Sequence, residues 1–264
     1  NSTLKREARL IPNPILKVLS TLSCHTVRHL LIGGQACVLY GAAEFSRDCD
    51  LVILADSENL RNLQAALAAL QAECIAVPEF KLEFLHRGHA VHFRCRHPDV
   101  TGLRIDIMSQ LRGCDSFEQL YERRTTIEDP ETDAVYEVVA VEDLVRAKKT
   151  QRDKDWPMIR RLVEAHYDLN GGAPTEAMVQ FWLRECRTST MLAELLLRFP
   201  GSVAAAVPER PWLHSVDVQD LEQIEFLLRA EEDAQRQADR EYWRPLKEEL
   251  EQLRLNRPRG NTSH

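Results

Sequence analysis

The sequence lacks several features that would each point to a class of protein. Its seven cysteines are an odd number and include no Cys-x-x-Cys pair, which is typical of reduced thiols rather than of a disulfide framework. No run approaches the ~18 consecutive apolar residues of a transmembrane helix, and no apolar segment near the N-terminus has the pattern of a signal peptide. We therefore expect a cytoplasmic protein with no membrane segment.

The sequence also lacks a net positive charge. The formal net charge is −7 over 264 residues, which excludes a chain that is basic throughout, so nucleic-acid binding would need a local patch. Apolar residues make up 44% and charged residues 28% of the chain, which are ordinary values for a globular protein. The length is sufficient for one large domain or two smaller ones, each with its own core.

What the sequence does contain is a compact motif region. An apolar run, Leu30–Ile32, leads into Gly33-Gly34, and a later predicted strand carries Asp48 and Asp50. Side chains alternate along a strand, so these two carboxylates are expected to share one face. They would repel each other unless a cation lay between them. The glycines would let backbone N–H groups approach an anion. A helix that starts at the glycines would add the positive end of its dipole.

A third carboxylate follows on another predicted strand, Leu103–Met108. Asp106 lies in its middle, with Ile105 and Ile107 on the opposite face. If this strand neighbours the one with Asp48 and Asp50, the three carboxylates would hold two Mg²⁺ (or Mn²⁺) ions about 4 Å apart, which suits chemistry on a nucleoside triphosphate. The alternative is that Asp48 caps a turn and Asp106 is a strand residue facing solvent.

The order of these residues resembles that of the DNA polymerase β-like nucleotidyltransferase superfamily. Members share a strand, a Gly-Ser or Gly-Gly turn, a short helix, an Asp-x-Asp strand and a later third carboxylate; Gly33-Gly34, Asp48-x-Asp50 and Asp106 match that order over about residues 28–110. The stretch 141–162 is similar to the helical lysine motif of the minimal, toxin-like bacterial branch. The family often has Ser after the first glycine, and Gly34 here loses a hydroxyl contact to phosphate unless Gln35 substitutes for it.

The resemblance implies a reaction and a set of roles. A nucleoside monophosphate would pass from an NTP to an acceptor hydroxyl, with release of pyrophosphate. Asp48 and Asp50 would bind both metals, while Asp106 would complete the site and could help to deprotonate the acceptor. The residues implied to contact the β- and γ-phosphates are Gly33, Gly34 and Gln35.

Three cations are further candidates for phosphate contacts. Arg47 precedes the aspartate pair and could reach a phosphate, although a structural ion pair explains it equally well. Lys148 and Arg152 are four residues apart on one helical stripe, which would bring both to one side of the helix. They would suit a triphosphate tail, or they could instead be long side chains on the surface of a helix.

The second half of the sequence changes to helical patterns. Two strand-like runs before it, Phe80–His86 and His89–Cys95, predict a β-hairpin joined at Arg87-Gly88. From Val141 onward the apolar spacing is helical and continues to about residue 255. The predicted fold is α+β, a nucleotidyltransferase-type mixed β-sheet with flanking helices followed by a mainly helical C-terminal region. Its divisions are a nucleotidyltransferase domain (1–135), a helical domain (136–256) and a flexible tail (257–264).

The acceptor and the partners stay open at this point. One version is a toxin-like enzyme that modifies tRNA or a protein and is held in check by a cognate antitoxin. Another is a small-molecule modifier of the antibiotic-adenylylating kind. A rival from a different class is a catalytically inactive nucleotide-binding interaction protein that keeps the fold.

Overall fold

The computed structural model describes residues 3–4, 11–128 and 135–256, so the predicted flexible tail 257–264 lies outside the described residues. The chain forms two compact units. The first consists of the described residues of 1–35, 46–140 and 241–264, and the second of 36–45 and 141–240. The sequence predicts a division at 135/136, which stays a prediction. Each unit also includes a segment from the other half of the chain.

The first unit is built on a mixed eight-stranded sheet. Its strands are β1 (Thr3–Leu4), β2 (His29–Ile32), β3 (Cys49–Ile53), β4 (Ala72–Cys74), β5 (Val91–Cys95), β6 (Arg104–Met108), β7 (Thr125–Glu128) and β8 (Val135–Val138). They lie in the order β1-β7-β8-β2-β3-β6-β5-β4. β3 and β6 are parallel, and β6 and β5 are antiparallel.

The burial pattern shows which face of the sheet is polar. On β6, Ile105 and Ile107 are buried, while Asp106 between them is only partly covered. On β5, Val91 and Phe93 are buried, with His92 between them partly covered. The strict alternation directs one side chain of each pair into the core and the next to the opposite face. The polar side chains of β5 and β6 therefore lie together on one face.

Helices of the first unit include α1 (Asn13–Cys24), α3 (Ser57–Ala69), α4 (Leu82–His86) and α5 (Phe117–Glu122). The predicted hairpin strand Phe80–His86 is wrong, because α4 occupies most of that run and β5 pairs with β4 instead. Phe84 and Leu85 are both buried, which a strand with one buried face does not allow for consecutive residues but a helical turn does. Gly88, with a φ of +91°, follows the end of this helix.

The second unit is helical, as the sequence predicts for the C-terminal region. Its helices are α6 (Val141–Ala147), α7 (Asp155–Asn170), α8 (Glu176–Glu185), α9 (Ser189–Arg198) and α10 (Val203–Ala206). Two helices have residues in both units: α2 (Gly33–Leu39) and α11 (Leu221–Asn256). Trp182 on α8 is fully buried in the core of this unit. Of the helices in the described residues, none is both long enough and apolar enough to cross a membrane.

Candidate functional site

Two of the predicted site residues lie side by side in the sheet. Asp50 on β3 is the register partner of Asp106 on the parallel strand β6, and strand neighbours are about 4.8 Å apart. The row continues to His92 on β5, which is the register partner of Asp106 on its other side. The spacing argument from the sequence thus brings the second and third carboxylates together on one face.

The Asp106 carboxylate is held by two basic side chains. Its Oδ1 accepts a hydrogen bond from Arg104 Nε at 2.7 Å and lies 2.8 Å from His92 Nδ1. Burial alone would raise the pKa of Asp106, but the hydrogen bonds from His92 and Arg104 outweigh it and lower the pKa from its ordinary value. Asp106 is therefore ionised and is a weak base.

Arg104 is the cation that the sequence interpretation missed. Its hydrogen bond to Asp106 raises the pKa of the guanidinium, and the charges of Asp106, Asp48 and Asp50 raise it further. One guanidinium thus lies within electrostatic range of all three predicted carboxylates. Arg104 could have been found from the sequence, because side chains alternate along a strand and residues 104 and 106 of β6 must therefore share a face.

Cys49 provides a second indication that the carboxylates are close together. Burial raises the pKa of this thiol well above its ordinary value, and the charges of Asp50, Asp106 and Asp48 add to the effect. The thiol is fully buried, so it is neutral and lies in the core behind the carboxylates.

The two glycines support Asp50. The Gly34 N–H donates a 3.3 Å hydrogen bond to Asp50 Oδ2. Gly33 has a φ of +70°, and a Cβ at this position would be 1.8 Å from the same oxygen. Glycine is thus required at position 33 both by the backbone and by the carboxylate packed against it.

The glycine segment differs from the expected turn. Helix α2 begins at Gly33, directly after β2, and has only seven residues, so its dipole is small. The Gly34 N–H is already bonded to Asp50. Gln35 is fully buried. Its predicted phosphate contact, like that of the exposed Arg47 in the loop before Asp48, stays a prediction.

Lys148 and Arg152 lie in the second unit, where they share a carboxylate. Asp155 Oδ1 is 3.2 Å from Lys148 Nζ, and its Oδ2 accepts hydrogen bonds from Arg152 Nε at 2.7 Å and from Thr150 Oγ1 at 2.6 Å. Burial would raise the pKa of Asp155, but Lys148, Thr150 and Arg152 lower it. A phosphate contact by either cation stays a prediction.

The donor set suits a hard divalent cation. All three candidate ligands are carboxylates, which Mg²⁺ and Mn²⁺ prefer. Asp106 Oδ1 takes both contacts from the basic side chains, whereas its Oδ2 has no such contact within the described ranges. As the side chains are placed, no group of three His, Cys, Asp or Glu residues in that part of the chain could hold a metal ion. A metal site formed by Asp48, Asp50 and Asp106 therefore stays a proposal.

A cavity of about 480 Å³ lies elsewhere in the first unit, at the carboxyl ends of β3 and β6. Its polar lining is largely bonded to the protein. His86 Nε2 lies 2.8 Å from the Ala55 carbonyl oxygen, and Ser109 Oγ donates to the Leu85 carbonyl at 2.6 Å. This cavity could not be predicted from the sequence, because the loop after β6 that forms much of its wall has no motif.

Comparison with known proteins gives likenesses to solved structures. No family model and no curated protein matches the chain. A solved structure that matches is an antigenic nucleotidyltransferase-like protein from Paracoccidioides brasiliensis, with 20% identity, a TM-score of 0.39 and coverage of 77% of this chain and 88% of that one. A likeness of this size does not establish a function, so a functional conclusion depends on the residues of the site.

Proposed function

We propose that the first unit is a divalent-metal-dependent nucleotidyltransferase, which moves a nucleoside monophosphate from an NTP to an acceptor hydroxyl. The observation that carries the proposal is the pairing of Asp50 with Asp106 in register on parallel strands. Carboxylates side by side on a polar sheet face repel each other unless cations lie nearby. Arg104 supplies one positive charge beside Asp106, and a bound divalent ion would neutralise more of the repulsion.

The three carboxylates share one role in this proposal, which is to hold the cation. Asp48, Asp50 and Asp106 would hold Mg²⁺ or Mn²⁺. A bound ion would lower the pKa of the attacking hydroxyl and neutralise charge on the leaving pyrophosphate. The lowered pKa of Asp106 makes it a poor proton acceptor, so we assign it to holding the cation rather than to deprotonating the acceptor.

The transfer itself is a single displacement. The acceptor oxygen forms a bond to the α-phosphorus, the bond from that phosphorus to the α,β-bridging oxygen breaks, and pyrophosphate leaves with the bond electrons. The acceptor proton passes to water. The chain contributes mainly by positioning both groups and by stabilising charge, as in other phosphoryl transfers.

The acceptor class decides between the finer versions of the proposal. A pyrophosphate-release assay with Mg²⁺ and each of the four NTPs should give a signal only when the right acceptor fraction is added: RNA, protein or small metabolites of a bacterial extract. Release with the RNA or protein fraction favours the toxin-like version with a cognate antitoxin, and release with the small molecules favours the antibiotic-modifying version.

The same assay tests the class of protein. The Asp50→Asn variant is the matched control, because it keeps the size of the side chain and removes its charge. NTP binding without pyrophosphate release from any fraction would contradict the proposal and favour the inactive nucleotide-binding protein.

A further inference from the structure

The most informative unexplained contact in the first unit is between Ser46 and Gly34. A Cβ built on Gly34 would lie 2.7 Å from Ser46 Oγ and 3.2 Å from Ser46 Cβ. The first distance is shorter than carbon and oxygen tolerate without a bond between them. The Ser46 hydroxyl therefore lies where a side chain of residue 34 would begin.

This hydroxyl is available to a ligand. Ser46 is partly exposed, in the loop that leads to β3. Its Oγ donates one long hydrogen bond, 3.4 Å, to the Asp48 carbonyl oxygen. A bond of that length is weak, so a stronger acceptor could replace it at little cost.

The position of the hydroxyl also suits an anion beside the carboxylates. Gly34 donates its N–H to the carboxylate of Asp50, which is a proposed cation ligand. Ser46 packs against Gly34, so its hydroxyl lies one residue away from that carboxylate. Gln35, the other candidate for a polar contact here, is fully buried. A neutral O–H donor can contact a metal-bound phosphate without competing for the metal.

We propose that Ser46 binds the triphosphate through its hydroxyl group. The hydroxyl occupies the space that a side chain at position 34 would fill. The inference rests on the proposed function, since it concerns the same NTP. It assigns to the loop before β3 a hydroxyl contact that Gly34, which has no side chain, cannot make. The recognised group is a metal-bound polyphosphate rather than the nucleoside.

The first test removes the hydroxyl alone. Ser46→Ala should weaken binding of the α,β-methylene analogue of the preferred NTP, measured by calorimetry with Mg²⁺, about tenfold, which is the usual scale for one hydrogen bond to a charged group. Binding of the matching monophosphate should stay within about twofold. Ser46→Thr, which keeps the hydroxyl, should bind the triphosphate like the wild type, and Ser57→Ala on the exposed start of α3 is the matched control.

The second test moves the hydroxyl. The φ of Gly34 is outside the left-handed region, so a serine is sterically acceptable there once Ser46 is cut back. The exchange Gly34→Ser with Ser46→Gly should recover triphosphate affinity to within about threefold of the wild type, whereas Gly34→Ser alone should not, because its Cβ meets Ser46. Thermal melting of each variant separates loss of binding from loss of folding.

Each outcome decides the inference. Equal triphosphate affinity in Ser46→Ala and wild type would overturn it and leave the proposed function standing. The inference on Ser46 would also be overturned if Ser46→Ala lost equal affinity for the triphosphate and the monophosphate. The same holds if the Gly34→Ser, Ser46→Gly exchange restored no affinity, because the effect would then come from the shape of the loop. A wild type that binds no triphosphate analogue would instead contradict the proposed function.

Discussion

At the scale of single residues, three carboxylates share one guanidinium. Arg104 Nε is 2.7 Å from Asp106 Oδ1, and the charges of Asp48 and Asp50 also raise the pKa of the arginine. In the absence of another cation, Arg104 offsets the repulsion that these carboxylates would otherwise have. A divalent metal bound by these carboxylates, as proposed, would compete with Arg104 for the same negative charge.

This competition makes Arg104→Gln informative. Without metal the variant should lose about 1 kcal/mol of unfolding free energy, a small value because the side chain is partly exposed. With saturating Mn²⁺ its melting temperature should rise more than that of the wild type, because the ion no longer displaces a charged side chain. Arg94→Gln, the register partner on β5, is the matched control. A Mn²⁺ shift in Arg104→Gln no larger than in the wild type would contradict this role.

Gly33 gives a second test at this scale. Gly33→Ala and Gly102→Ala both place a side chain at a positive φ, +70° and +82° respectively. The alanine Cβ at position 33 would also clash with Asp50 Oδ2, whereas nothing lies within 4 Å of a Cβ at position 102. Urea unfolding should show about 1–2 kcal/mol lost at Gly102, from the backbone alone, and clearly more at Gly33. Equal losses would mean that Asp50 does not pack against Gly33.

At the scale of elements, the buried charges of the second unit hold α11 in place. Glu231 on this helix accepts hydrogen bonds from Arg210 Nη2 at 2.8 Å, Arg187 Nη1 at 2.8 Å and Trp212 Nε1 at 2.7 Å. Arg210 is almost fully buried and also donates to the carbonyl oxygens of Leu183 and Cys186. Removing one partner of such a set leaves the others buried and unpaired.

Glu231→Gln should therefore destabilise the protein by about 3 kcal/mol at pH 7. Burial would raise the pKa of Glu231, but Arg210, Arg187 and Trp212 lower it. The stability from its charge is thus present at neutral pH and is lost as the pH falls through the folded pKa. In urea unfolding, the difference between wild type and variant should shrink below about pH 4.

The control for this prediction lies on the same helix. Glu225 pairs with Arg229 at the surface, so Glu225→Gln should change stability by less than about 0.5 kcal/mol. A Glu231→Gln difference that stays constant with pH would show that the carboxylate is not held in its ionised form.

Elements also show how far the sequence could be interpreted. Alternation with period two predicted that Asp106 lies on the polar face of its strand, but it could not predict that this strand pairs with β3, on which the register of Asp50 with Asp106 depends. Alternation was misleading at Phe80–His86, where a short apolar run fits a strand or a helical turn, and only the pairing of β4 with β5 decides. The phosphate contact of Gln35 stays a prediction.

At the scale of the whole molecule, local patterns could not give the composition of the two units. Residues 36–45 belong with the helical unit, and the described residues of 241–264 belong with the sheet unit, which depends on contacts between distant parts of the chain. The sequence did predict a mixed sheet followed by a helical region. The contacts of Lys148 and Arg152 with Asp155 also could not be predicted from the sequence spacing.

The most direct test of the central claim follows the label from a nucleotide. The protein is incubated with Mg²⁺, an acceptor extract and NTP labelled at either the α- or the γ-phosphate. The account predicts covalent transfer of the α-label to the acceptor, release of the γ-label as pyrophosphate, and no transfer by Asp48→Ala or Asp106→Ala, because the cation site needs each carboxylate. Transfer of the γ-label instead, or undiminished transfer by Asp106→Ala, would contradict it.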